Sequence, residues 1–420
     1  MRKEPNVERV LARPPSQAPT PTPNVLPART ARRMSRVAVL LVAVSTLPPS
    51  FSCSTDADCG LLGDCVSNAC VCDAGWVGPT CASLALAPAP PDSGLRQKNS
   101  SNWCGTILRD ENNASLFHSY NADFGGCSDG LAIWLTGSRV IRSTSSSPVG
   151  PFTPVWATGD AEVAISAEAH NPQAIRAPDG TYLLMDSYGG PDADCPLEAN
   201  YTTCRGGSSC APKMPRNGGV GWWVFHHAAS ASGPWSAVNV SVDFPCYSEN
   251  LTPSPFFHPN GTMYIVFHCD ADSSHIMCDL TLVRGDSWRG PFIRVNDKIW
   301  DSKGIKPHPE DPFFWIRTSP TSQATSFHVI LHNTPRGIHL FSADGLNFTL
   351  QQDVVNGDPQ PPFVFDDVIV QSDGTNFTAG RRERPWILFD EHTTRPRVLV
   401  TSMQAPAAWH VVFTHAQTVA

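Results

Sequence analysis

The sequence has no apolar run long enough to cross a bilayer; its most continuous one, Val37 to Leu47, falls well short of the roughly 20 residues that a spanning helix needs. From Trp103 onward it also lacks any long amphipathic helical pattern. Charge is sparse, at 16% of residues, and acids outnumber bases, with a formal net charge of −8. Such a balance argues against nucleic acid and anionic membranes as partners. The 14 histidines fall into no recognised ligand spacing, so no metal and no other cofactor is expected.

The chain does have cysteine, 14 in 420 residues, and the distribution is uneven. Six fall between Cys53 and Cys81, too dense for a reduced cytosolic protein and typical of an oxidising compartment. Eight N-x-S/T sequons, at Asn99, Asn113, Asn200, Asn239, Asn250, Asn260, Asn347 and Asn376, all lie downstream of that cluster and suit a glycosylated surface. Upstream, a basic, Pro-rich leader containing Arg29, Arg32, Arg33 and Arg36 runs into the apolar stretch and then Ser50-Phe-Ser52. That order reads as a signal peptide over residues 1–52, with Met34 as an alternative start and a retained cell-surface anchor as the alternative fate. Secretion is the expectation, with no membrane insertion after cleavage; loss of residues 1–36 would take the charge to −14.

The gaps between the six clustered cysteines are five, five, four, one and eight residues, and the run ends Cys70-Val-Cys72-Asp-Ala-Gly75-Trp76-Val-Gly78-Pro-Thr-Cys81. Spacing alone permits fifteen pairings. Residues 53–81 resemble an EGF-like module, and the resemblance implies Cys53 with Cys65, Cys59 with Cys70 and Cys72 with Cys81. The acids of a calcium-binding module are not arranged ahead of Cys53. So short a module depends on its disulfides for stability and serves here as a spacer. Residues 82–100, rich in Ala and Pro, read as a semi-rigid linker.

Residues 101–420 alternate short Val/Ile/Phe/Tyr/Trp runs with Asn, Asp, Gly and Pro turns, the pattern of an all-β fold with many strands. Three turns share one ending, in Ser147-Pro-Val-Gly-Pro-Phe152, Ser232-Gly-Pro-Trp235 and Ser287-Trp-Arg-Gly-Pro-Phe292. Strand entrances repeat as well: Trp103-Cys-Gly105, His170-Asn-Pro172, Thr252-Pro-Ser-Pro255, Glu310-Asp-Pro312 and Glu383-Arg-Pro385. Five such units fit a five-bladed β-propeller, whose innermost strands begin around one axial funnel.

These five anchors together resemble the furanosidase-like glycoside hydrolases, broadly family 43 and its relatives. The resemblance implies a hydrolase acting on an extracellular glycan through paired carboxylates, one protonating the leaving oxygen and one acting on the opposite sugar face. The candidates are Asp311 as base or orienting carboxylate, Glu383 as acid, and Glu310 beside them. His170, Asn171, Trp103, Arg384 and His308 are the candidate substrate-binding residues, with Arg384 also able to pair with Glu310 or Asp311. Two departures stand out: the first three entrances carry no carboxylate, and Pro309 separates His308 from Glu310-Asp311. A non-catalytic carbohydrate-binding or adhesion protein is the alternative. Proximity suggests further bridges, Cys104 with Cys127 and Cys269 with Cys278.

Overall fold

The structure, a computed structural model, describes residues 51–420 except 98–99, 125–130, 132–137, 158–159, 162, 166–168, 187–221, 244–251, 269–279, 301–309, 334, 356–357, 361, 392 and 407. Five antiparallel sheets follow one another along the chain and form the expected five-bladed propeller. Blade 1 starts at Asn102–Arg109, blade 2 at Gln173–Arg176, blade 3 at Ser254–Phe257, blade 4 at Glu310–Thr318 and blade 5 at Arg381–Phe389. Blades 2, 3 and 4 have four strands in sequence order, whereas blade 5 has three, ending at Ala408–Thr418. Runs such as Tyr182–Met185 are buried at every position, because propeller strands are covered on both faces by neighbouring blades.

The three repeated Gly-Pro turns share one conformation, with glycine at positive φ and a cis peptide bond at Gly150-Pro151, Gly233-Pro234 and Gly290-Pro291. A second repeat is conformational and involves residues of unlike chemistry. Cys104, Asn171, Thr252, Asp311 and Arg384 all adopt left-handed backbone, with φ of 55°, 55°, 39°, 57° and 56°. Each stands at the start of an inner strand, one per blade, and in blades 1, 4 and 5 the pairing register slips just after it. Four are followed by proline, and blade 1 instead has Gly105. A Cβ there would meet Thr414 Cγ2 at 2.6 Å and Asn121 Nδ2 at 2.9 Å, so neither proline nor any other side chain fits.

That crowding marks where the ring closes. Thr414 of blade 5 donates its N–H to Asn102 Oδ1 (2.8 Å), Ser402 Oγ accepts the Cys104 N–H (2.6 Å), and Asn121 Nδ2 donates to Thr414 Oγ1 (3.0 Å). Buried polar side chains thus join the first blade to the last, all satisfied across the seam.

The N-terminal module carries the disulfides Cys53–Cys65, Cys59–Cys70 and Cys72–Cys81. It does not stand off as a spacer. Cys53, Cys59, Leu62, Trp76 and Cys81 share one buried cluster with Phe313, Trp315, Ile330, Val364 and Trp386 of the propeller. Trp76 stacks on Trp315 with ring centroids 6.0 Å apart and planes 10° apart, and Arg317 holds Asp73 through two hydrogen bonds of 2.5 and 2.9 Å. The segment read as a linker is likewise laid into the propeller: Leu86 bridges Val419, Ala89 bridges Gln371 and Leu95 bridges Thr414, with Ala89 and Leu95 fully buried. A module too small for its own core has gained one by sharing that of blade 4. Trp76→Ala should therefore destabilise the whole chain by about 3–5 kcal/mol in denaturant unfolding. A loss below about 1 kcal/mol would mean that the two bodies do not share a core.

Candidate functional site

The left-handed entrance residues gather at one end of the axis, and blades 4 and 5 bring the charge. In blade 4 the inner strand begins with Glu310 and Asp311, and Glu310 lies across from His332 of the second strand. In blade 5 the corresponding pair is Glu383 and Ser402. Register therefore sets which side chain of each second strand faces the entrance.

Asp311, almost fully buried, is the centre of the cluster. Its Oδ1 contacts Arg384 Nη1 in an ion pair, and its Oδ2 lies 2.6 Å from His332 Nδ1. The other ring nitrogen, His332 Nε2, is 3.8 Å from Glu383 Oε1. Arg381 Nε donates to that same oxygen at 2.6 Å. Glu310, Asp311 and His332 each offer a metal-ligand atom, and those atoms lie within 4.8 Å of one another. The guanidinium of Arg384 already meets the charge on Asp311 that a cation would meet, so the arrangement reads as an ion-pair network.

Burial alone would raise the Asp311 carboxyl, but Arg384 and then His332 outweigh it and hold the group down at about 2. Burial would likewise lower His332, yet Asp311 and then Glu383 bring it above its ordinary value, so it favours the imidazolium form. Glu310 moves the other way: burial, and then the negative charge on Asp311, raise it above the ordinary 4.5. Two adjacent carboxyl groups are thereby separated, Asp311 ionised and Glu310 inclined to keep its proton.

Blades 1 to 3 contribute uncharged groups. Cys104 is a free, buried thiol that donates to Asn171 Oδ1 at 2.8 Å, and Cys127, the partner suggested for it, lies outside the described residues. Burial raises the thiol well above its ordinary value, and Arg384, Asp311 and Glu383 are close enough to act on it. His170 is buried against the Phe124 ring (5.8 Å), and burial, followed by the charge of Arg384, lowers it well below the ordinary histidine value. Burial likewise lowers His268 to about 4, with Asp311 and Arg384 close enough to act on it.

Of the residues singled out from sequence, Glu310, Asp311, Glu383 and Arg384 meet in one network, and His170 and Asn171 lie beside it. Trp103 does not serve as a sugar platform: it is 1% exposed and packs with Cys104, Ala122, Phe124 and Val412. His308, like Cys269 and Cys278, lies outside the described residues. Sequence reasoning missed His332 and His268 as partners of the cluster and Arg381 as the partner of Glu383. A signal was present, since Tyr264-Ile-Val-Phe-His268 and His328-Val-Ile-Leu-His332 place a histidine at or one residue before the end of the second strands of successive blades.

No family model matches the sequence, and no curated protein is similar to it at a significant level. Solved structures follow a similar course. One is a protein of unknown function from Dyadobacter fermentans, 11% identical, with a TM-score of 0.47 over 80% of this chain and 100% of that one. Another is a family 117 glycoside hydrolase from the marine bacterium Zobellia galactanivorans, 10% identical, with a TM-score of 0.46 over 80% and 90%. A third is an exo-beta-1,3-galactanase from Phanerochaete chrysosporium, 10% identical, with a TM-score of 0.39 over 81% of this chain and 66% of that one.

Proposed function

We propose that the axial cluster of blades 4 and 5 binds and hydrolyses a glycosidic bond of an extracellular glycan. The observation that carries this reading is the divergence of neighbouring carboxyl groups, Glu310 raised and Asp311 held at about 2, around one histidine that also faces Glu383. Glu310, the more exposed of the three acids, suits the proton donor better than Glu383, which is buried and held by Arg381. Glu383 takes the place of the opposed carboxylate, and Asp311 is the positioning group whose charge adds to burial in raising Glu310 and which orients His332. Export agrees with the three disulfides and with the exposed sequon asparagines Asn113, Asn239, Asn260, Asn347 and Asn376. A second reading, binding without cleavage, draws on the entrances of blades 1 to 3, where Cys104, Asn171 and Thr252 bring no carboxylate.

Purified protein screened on arabinan, fructan, xylan and sulfated algal glycans should release sugar from one of them. Glu310→Gln or Glu383→Gln should cut kcat at least about 100-fold with glycan binding retained. Binding by every variant with turnover by none, wild type included, would leave the second reading standing; neither binding nor turnover would sink both.

The pH profile follows from the same two groups. Glu310 must be protonated to act, so kcat/KM should fall as pH rises through its raised value, placing the alkaline limb above 4.5. Asp311→Asn removes the charge that helps raise Glu310, and should move that limb to lower pH. An unmoved limb would separate Asp311 from Glu310.

A further inference from the structure

A line of buried polar side chains, remote from the axial cluster in its hydrogen bonding, joins blade 4 to the disulfide module. Ser326 Oγ lies 2.7 Å from His328 Nε2, His328 Nδ1 lies 3.0 Å from His339 Nε2, and His339 Nδ1 lies 2.6 Å from Gln351 Oε1. Gln351 Nε2 then donates to the backbone carbonyl of Thr80 in the module, at 2.5 Å. His328 and His339 are 0% and 1% exposed, and their rings stack 5.2 Å apart and 5° from parallel. Trp315 covers both, at 4.8 and 5.6 Å, and Trp76 of the module closes over Trp315 and His339. Gly60 admits the chain's last member, since a Cβ at that residue would lie 2.4 Å from Gln351 Nε2.

The direction of every proton follows from the fixed end. A backbone carbonyl only accepts, so Gln351 must turn its amide nitrogen to Thr80 and its oxygen to His339. That oxygen also only accepts, so His339 carries its proton on Nδ1 and leaves Nε2 bare. His328 must then be protonated on Nδ1, and its bare Nε2 accepts from the Ser326 hydroxyl. Both rings are neutral in this arrangement. One extra proton on His339 could be absorbed by reversing the tautomer of His328, but the second could not, because two N–H groups would then face each other.

Even the first proton would be a buried charge with nothing to meet it. Among the described residues the charged group that bears on these rings is Arg317, itself a cation, and Asp73 of the module is taken up by that guanidinium. Asp64 of the module receives the Thr321 hydroxyl. Gln351 is the partner that favours charge on His339, and it is an amide.

We infer that this chain is an acid-sensitive latch: protonation of His328 and His339 frees the disulfide module from blade 4 while the propeller stays folded. Burial lowers His339 to about 4 and His328 well below its ordinary value. Exposed, each would titrate near 6.5. The sign is therefore fixed: the open form binds more protons between those values, so the closed form is favoured at and above neutral pH and loses ground as pH falls below about 6.5. From pH 7 to pH 5 each ring that becomes exposed raises the opening equilibrium about 25-fold, and the pair several hundredfold.

The test is hydrogen exchange of the full-length protein at pH 7 and pH 5, corrected for intrinsic rates. The reporter is the Leu84 amide, which donates to Val364 O across the junction. Oxidative footprinting of Trp76 reads the same junction, with Trp103, buried at the ring seam, as the internal reference. Opening at Leu84 should rise at least 25-fold and Trp76 should become oxidisable, with Trp103 unchanged. His339→Gln should reduce the pH response about 25-fold. Equal changes at Trp76 and Trp103, or a change below about threefold at Leu84, would overturn the latch in the wild-type protein whether or not the variant folds.

Discussion

The left-handed residue at the start of each inner strand is the constraint on which the rest of this structure depends. Residues other than glycine adopt that conformation at a cost of order 1–3 kcal/mol each, and the inner-strand entrances hold five of them, one in each blade, with five different side chains. An ordinary extended entrance would give the strand an unbroken two-residue alternation. The left-handed residue shifts the register instead, visibly so in blades 1, 4 and 5. The scaffold fixes the positions and leaves the chemistry to the residue type.

Blades 4 and 5 use those positions for charge. Three carboxyl groups gather at an interior end of the fold, which would be severely destabilising without compensation. Arg384, His332 and Arg381 supply it, each at a defined oxygen. Compensation is uneven, and that unevenness makes the cluster chemically interesting: Asp311 has both a guanidinium and an imidazole, whereas Glu310 has mainly the repulsion of Asp311 and the loss of water.

The five-blade count was legible in the sequence because its turns and entrances repeat as short strings, and the Cys53–Cys81 spacing announced the module. Glu310, Asp311, Glu383 and Arg384 were legible for the same reason, as members of entrance strings. Trp103 shared that position and was misjudged, since entrance position does not reveal whether a side chain faces the axis or the core; here it packs beneath the seam made by Thr414 and Ser402. The recurring histidine marked the place of His332, but its partners and that of Arg381 were hidden because strand register and local reach, respectively, decide them. The docking of the module was hidden too: Ala and Pro between residues 82 and 97 suggest a spacer, while their burial comes from edges of blade 5 and the segment around Gln371 more than 270 residues away.

Module and axial cluster thus have opposite electrostatic designs. Between the module and blade 4, two imidazoles are kept neutral by an uncharged chain; at the axis, one imidazole is held toward its cation by two carboxylates. The central claim, that the axis separates two adjacent carboxyl groups into an acid and an anion, is tested most directly by titrating the protein with carbon-13 in its Asp and Glu carboxyls. The account predicts that Glu310 titrates above 4.5 and that Asp311 stays ionised to about pH 2. Glu310 ionising at or below its ordinary value, with Asp311 unperturbed, would contradict it.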